Sequence, residues 1–179
     1  SATNGSTSFK VGVEHVNPIT TLDPGFVYDL IVDDYLSFLC ASNYPADRIE
    51  VMARRKYECD SHVYYSVTNL NYPSFGVVFR PITIRNGSMT VEHTRTLTNV
   101  GVVRTYKVSI SLDMPSVNIT IEPNVLSFNK NEKKKTYTIT FTALDPPLPS
   151  HFAFGRLEWS NGMTIVGSPI STMWDLGRD

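Results

Sequence analysis

The sequence predicts a mainly β fold, a two-sheet antiparallel β-sandwich preceded by a short helical segment. Three observations carry that expectation. Apolar residues recur with a helix-like period before about Asn69 and with period 2 after it. Turn signals cut the second part into seven or eight short runs, each with one apolar face. Hydrophobic residues make up 41% of the 179 positions and charged residues 18%, enough for a packed core and too little charge for a disordered chain.

Residues 1 to 31 are punctuated by Gly, Pro and Thr, with Asn17-Pro18 and Asp23-Pro24-Gly25 as turn signals. A first helix is expected from Asp33 to Cys40. Asp33 or Asp34 can cap it, and Val32, Tyr35, Leu36 and Leu39 recur at helical spacing. A second starts after Pro45, where Ala46, Ile49 and Met52 or Ala53 share a face and Arg54, Arg55 and Lys56 suit a C-terminal end.

The strands follow. Tyr106, Val108, Ile110 and Leu112 alternate with Lys107, Ser109 and Ser111; Val117, Ile119 and Ile121 alternate with Asn118, Thr120 and Glu122. Tyr137, Ile139, Phe141 and Ala143 alternate with a comb of Thr136, Thr138, Thr140 and Thr142. Leu157 and Trp159 run into Asn161-Gly162 and then Met163 and Ile165, the signal of a two-residue type I′ hairpin. Further strands read at 74–79, 90–98 and 125–128.

Net charge is −1, which recommends neither nucleic acid nor an anionic membrane as partner. The longest apolar runs, Phe75 to Phe79 and Val100 to Val103, are far too short to span a bilayer. The chain starts at Ser1 with no charged start and apolar stretch after it, as a mature, processed or excised chain would.

Chemistry is scarce. There is no Gly-x-Ser-x-Gly elbow and no Gly-Thr-Ser turn leading into a helix. His15, His62, His93 and His151 fall in four separate segments, so solvated or core histidines are expected and no metal site or cofactor. Asp23, Asp29, Asp33 and Asp34 cluster locally, but turn and helix-start roles explain most of them. The run from Lys130 to Lys135 reads as a solvated turn guarding a strand edge, and Pro146-Pro147-Leu148-Pro149 as a rigid loop.

Cys40 and Cys59 are the two cysteines; a disulfide between them would fasten the two helices together and close a loop worth about 3 kcal/mol in the chain-entropy account. Sequons stand at Asn4, Asn86 and Asn118. Alternation turns Asn118 to solvent, Asn86-Gly87 belongs to a turn, and Asn4 lies in a polar stretch, so all three are candidate glycosylation sites. Together with a pairable cysteine couple they favour the secretory route over the alternative, a cytosolic chain with two buried thiols.

His15-Val16-Asn17-Pro18, Asp23-Pro24-Gly25-Phe26-Val27-Tyr28-Asp29, Asp34-Tyr35 and Phe38-Leu39-Cys40 resemble the tail of a plant subtilase catalytic domain. Leu70-Asn71-Tyr72-Pro73-Ser74-Phe75, Arg95-Thr96-Leu97-Thr98-Asn99-Val100-Gly101 and Trp159-Ser160-Asn161-Gly162 with Ser168-Pro169-Ile170 resemble that family's fibronectin type III-like domain. The resemblance covers nearly the whole chain. It implies that residues 1–68 are the end of an α/β subtilisin-type catalytic domain and 69–179 a fibronectin type III-like sandwich. It also implies plant origin, secretion to the cell wall space (apoplast), and a parent serine endopeptidase whose catalytic Asp, His and Ser lie upstream. No catalytic residue carries over. Two departures are local: Glu14 stands where the family has Gly, and a glutamate cannot keep a positive φ there without strain; Phe26 replaces Leu.

Three functions are open to such a chain. It is a non-catalytic accessory region of a protease, or a free-standing secreted module that binds a partner through its loops, or an enzyme with an unrecognised site. Phe26, Val27, Tyr28, Leu30, Tyr35, Phe38 and Leu39 crowd the first third, which favours the accessory region. They are expected to pack partly on the sandwich and otherwise against an upstream catalytic fragment or a second copy of the chain.

Overall fold

The computed structural model describes residues 22–80, 84–85, 88–113, 116–143 and 152–175. The described residues form ten strands, two α-helices and one 3-10 turn. The helices are α1 (Val32–Ala41) and α2 (Ala46–Ala53), and the 3-10 turn is Val67–Asn69. The strands are β1 (Phe26–Val27), β2 (Phe75–Phe79), β3 (Ile84–Arg85), β4 (Ser88–Asn99), β5 (Thr105–Leu112), β6 (Val117–Glu122), β7 (Val125–Ser127), β8 (Lys134–Ala143), β9 (Phe152–Ser160) and β10 (Ile165–Trp174).

Two sheets face each other. One runs β1-β4-β8-β6 with β3 also beside β4, and the other runs β2-β10-β9-β5-β7. The threonine comb explains the first. Tyr137, Ile139, Phe141 and Ala143 of β8 are buried, and the threonines between them form the outer face, where Thr138 lies opposite Thr94 and Thr136 opposite Thr96. The core between the sheets contains Trp159, Leu157 and Tyr106 from one side and Ile139, Phe141 and Leu97 from the other. Each such large side chain contributes about 1.5–3 kcal/mol on burial.

The structure departs from the sequence reading in six places. β2 pairs β10 in parallel, with Ile170 opposite Phe75 and Trp174 opposite Phe79, so the sandwich is not wholly antiparallel. Residues 80–164 separate those two strands, and the hairpin constraint that enforces antiparallel pairing does not act on them. The β9–β10 connection is a four-residue loop, since Ser160 rather than Asn161 is the last paired residue and faces Ile165. Asn161 Oδ1 accepts from the amides of Met163 and Thr164, each at 2.8 Å, and Gly162 alone has a positive φ, at 87°; a type I′ turn needs two.

Neither aspartate caps α1 in the expected sense. Ile31 occupies the cap, and Asp34 reaches back to accept its amide at 2.9 Å. α2 stops at Ala53, where Arg54 turns left-handed with φ 52°, so Arg55, Lys56 and Cys59 lie beyond the helix rather than on it. The basic run is a turn, with Asn129 Oδ1 accepting from Asn131 and Glu132, but it feeds β8, which has neighbours on both sides and is no edge. β1 and β3 are strands that periodicity does not predict, because two residues show no period.

Candidate functional site at the junction of the helical segment and the sandwich

The described residues gather no group of three His, Cys, Asp or Glu side chains suited to a metal ion. The densest set of buried polar contacts lies instead where the helical segment meets the sandwich. It starts at Asp23-Pro24-Gly25-Phe26-Val27-Tyr28-Asp29. Gly25 has φ 74°, and its carbonyl accepts from the amides of Val100 and Gly101, each at 3.0 Å. A side chain there would stand 2.5 Å from Tyr106 Oη. The next residues become β1, pairing Phe26 with Asn99 and Val27 with Thr98. Phe26 is buried against Tyr106, ring centroids 5.1 Å apart, and against Phe128 at 6.3 Å.

Two residues on, Tyr28 carries its hydroxyl between the sheets. It lies 2.8 Å from Ser168 Oγ on β10 and 3.1 Å from Tyr137 Oη on β8. Burial raises both tyrosine pKa values, so both stay neutral phenols that exchange hydrogen bonds. Asp29 closes the motif on the outside. Thr98 Oγ1 donates to its carboxylate at 2.5 Å and Lys134 Nζ stands 3.4 Å away; the hydroxyl first and the ammonium second hold its pKa below the usual carboxylate range.

β1 and β3 cover opposite ends of one β4 edge, and the chain at 66–74 covers the stretch between them. Asn71 Nδ2 donates to Thr96 O at 2.8 Å, and Asn71 Oδ1 accepts from Thr96 N at 2.8 Å. The same Nδ2 donates to Asp29 O at 3.0 Å. Arg95, on the inward face of β4, is only 4% exposed. Its Nε donates to Tyr72 O at 3.0 Å, Nη1 to Thr68 O at 2.6 Å and Thr94 O at 2.9 Å, and Nη2 to Ser74 O at 3.4 Å. The guanidinium lies 4.9 Å from the Phe75 ring centroid. No carboxylate forms an ion pair with it among the described residues, so carbonyl dipoles balance a buried charge.

His93 sits beside it, also buried, with Nδ1 3.2 Å from Thr68 O and 3.3 Å from Arg95 Nη2. Desolvation first, and the neighbouring guanidinium second, lower its pKa to about 4.

α1 and α2 hang from this seam and pack on each other through a small separate core of Leu36, Cys40 and Ile49. Cys40 and Cys59 are disulfide-bonded with Cα atoms 5.8 Å apart. Large apolar side chains stand open to solvent on the pair and on the chain after it: Val32 is 66% exposed and Val51 76% on the helices, and Tyr64 91% beyond them. Of the crowded apolar residues of the first third, Phe26 belongs to the sandwich core with Tyr28 packed against it, Leu39 packs on the small core, and Tyr35 is exposed.

The acidic cluster disperses: Asp29 serves Thr98 and Lys134, Asp33 meets Arg55 at 2.9 Å, and Asp34 holds the α1 start. His62 is exposed and His93 is a core residue, so the two do not meet. Asn118 points outward from β6 and is exposed. Asn4, Asn86, His15, His151 and the Pro146–Pro149 run lie outside the described residues. Sequence reasoning missed Asn71, Tyr28 and Arg95. The last left a signal, since it occupies an inward register between His93 and Leu97, where a charge needs an explanation.

Residues 69–172 match the family described as the fibronectin type-III domain. Similarity to curated proteins extends over the helical segment as well. The chain is 45% identical over 170 residues to Subtilisin-like protease SBT1.7 of Arabidopsis thaliana, covering 94% of this chain and 22% of that protein. It is 37% identical to Subtilisin-like protease SBT4.8 of Arabidopsis thaliana over 92% of this chain and 23% of the relative, and 36% identical to Subtilisin-like protease Glyma18g48580 of Glycine max over 92% and 20%. The chain thus spans about a fifth of the length of these relatives. It belongs to the fibronectin type-III domain family, in the form that plant subtilisin-like proteases carry as their C-terminal part.

Proposed function

We propose that the chain is the non-catalytic C-terminal region of a secreted plant subtilisin-like serine endopeptidase, and that it supports the catalytic domain through the outer surface of α1 and α2. One observation carries the reading. The helical segment is fastened to the sandwich by β1, Asn71 and Arg95, yet it turns Val32, Val51 and Tyr64 to solvent. Exposed apolar side chains beside an anchored seam are what an interface offers. The relatives' greater length supports the remaining four-fifths of the same protease as the partner. A second copy of the chain is the other candidate for that surface, and a free-standing secreted β-sandwich module is the alternative function.

The supporting chemistry for secretion is the Cys40–Cys59 disulfide and the exposed Asn118 sequon. In a eukaryotic secretory host, Asn118→Gln is expected to remove one glycan's mass.

The full-length protease tests the interface. Val32→Asp with Val51→Asp is expected to lower the yield and thermal stability of active enzyme while leaving the isolated chain as soluble as before. The isolated chain is expected to bind a hydrophobic dye and to take no label from a fluorophosphonate serine probe. A compact monomeric chain that binds no dye would favour the free-standing module.

A further inference from the structure

The α1–α2 pair is closed by little besides its disulfide. Its core holds three buried residues, Leu36, Cys40 and Ile49, with Leu39, Ala53, Tyr57 and Tyr65 packed around them, and it is separate from the sandwich core. A core of that size does not hold a fold by itself; small units of this kind depend on a cross-link. From Arg54 to Val63 there is no helix or strand, and most of those residues are exposed. What returns this stretch to the helices is Cys59 bonded to Cys40, the Arg55–Asp33 ion pair at 2.9 Å on the surface, and Tyr57 at the rim of the small core. The two cysteines differ in exposure: Cys40 is 9% exposed at the end of α1, whereas Cys59 is exposed on the loop.

We propose that the Cys40–Cys59 disulfide is a reducible clasp that opens in the folded protein, releasing the α1–α2 pair while the sandwich and its seam stay intact. A dithiol reductant supplies the electrons. One of its thiolates attacks Cys59 Sγ, the S–S bond breaks, and Cys40 leaves as a thiolate that takes a proton. The second thiolate of the reductant then closes on its own mixed-disulfide sulfur, and Cys59 leaves as a thiolate that is protonated in turn. The reductant ends as its cyclic disulfide and the protein carries two thiols. Glu58 and Asp60 flank Cys59, so an uncharged dithiol approaches more readily than an anionic thiol such as glutathione. Release stops at the seam because β1, Asn71 and Arg95 bind through residues outside α1 and α2. The clasp controls the surface assigned above to the rest of the protease, yet it opens or stays shut in the chain alone, whatever that surface meets.

The test is native-state reduction of the full 179-residue chain with dithiothreitol at neutral pH, without denaturant, followed by hydrogen exchange. Amides of 36–53 are expected to lose protection on the order of a hundredfold, the factor a loop of this length implies, while Tyr137–Phe141 keep theirs. Glutathione at equal thiol concentration is expected to react more slowly. The double variant Cys40→Ser, Cys59→Ser is expected to reproduce the reduced pattern without any reductant. Three results would overturn the proposal: thiols that form only once the sandwich unfolds, thiols that form with 36–53 still protected, or a sandwich that loses protection together with the helices.

Discussion

The side-chain amide of Asn71 bonds both backbone groups of Thr96, donating to its carbonyl and accepting from its amide, each at 2.8 Å. A neighbouring strand would supply those two bonds, and here one side chain does. Asn71 thereby fills the gap on the β4 edge between the two short strands β1 and β3, and leaves that stretch less open to pairing with another chain.

Asn71→Ala removes both bonds, and the one to the Asp29 carbonyl with them, and is expected to cost about 1–3 kcal/mol of unfolding free energy, the range for backbone groups left without partners near the surface. Urea denaturation reads the total. Amide exchange at Thr96 reads the local part, and it is expected to accelerate more than exchange at Leu97, whose amide faces β8. Equal acceleration at both would mean that Asn71 acts on the whole sheet rather than on its edge.

Arg95 binds the same segment from inside. Three carbonyls, from Thr68, Tyr72 and Ser74, point at one guanidinium. Arg95→Met keeps an unbranched apolar side chain but removes the guanidinium from Phe75 and leaves those oxygens without their donor, at an expected cost of about 2–4 kcal/mol. Arg95→Lys keeps the charge, but a single ammonium cannot match the guanidinium's fork, so it is expected to recover less than half of the loss. A lysine variant as stable as the parent in chemical denaturation would show that charge, not geometry, holds 66–74 in place.

The fold was legible where one residue class repeats over a long strand. The threonines of β8 and the Tyr106–Leu112 alternation declare their buried faces without any knowledge of a partner. Pairing direction was not legible, because β2 and β10 lie far apart in sequence and nothing in either states which way the other runs. The Asn161-Gly162 pair points to a hairpin correctly and to its turn type incorrectly, since a side chain able to bond Met163 and Thr164 competes with the two-residue turn. The seam was the least visible part. Tyr28, Asn71 and Arg95 stand in motifs that the resemblance picks out, but the partners of Tyr28 are 109 and 140 positions away and those that hold Asn71 and Arg95 are mostly backbone atoms, which no side-chain pattern encodes.

His93 gives the chain an acid-sensitive step. Its folded pKa, about 4, lies below the ordinary histidine value of 6.5, so the unfolded chain binds this proton more readily than the folded one. Its contribution is complete above pH 6.5 and declines as pH falls through the interval from 6.5 to about 4, where the folded form is protonated too. The loss over that interval is at most about 3 kcal/mol. Carboxylates titrate in the lower half of the same range, so the parent is compared with His93→Gln, which has no such proton to bind. Urea midpoints at pH 7 and pH 5 are expected to differ more for the parent than for the variant; parallel shifts would remove His93 as the cause.

Gly25 and Tyr106 permit a sharper test, because two distinct penalties meet at one position. An alanine at 25 must hold φ near 74°, which costs about 1–2 kcal/mol for a residue with a Cβ, and it must also share space with Tyr106 Oη 2.5 Å away. Tyr106→Phe deletes that oxygen and leaves the backbone demand untouched. Gly25→Ala is therefore expected to destabilise strongly in the parent and less strongly in the Tyr106→Phe background, with the coupling energy measuring the steric part alone. The remainder, measured in the phenylalanine background, is the cost of the left-handed turn. That turn aims the Gly25 carbonyl at the amides of Val100 and Gly101 and starts β1 beside β4. Additive losses in the double-variant cycle would mean that Tyr106 moves aside freely, and that the glycine is required for backbone conformation alone.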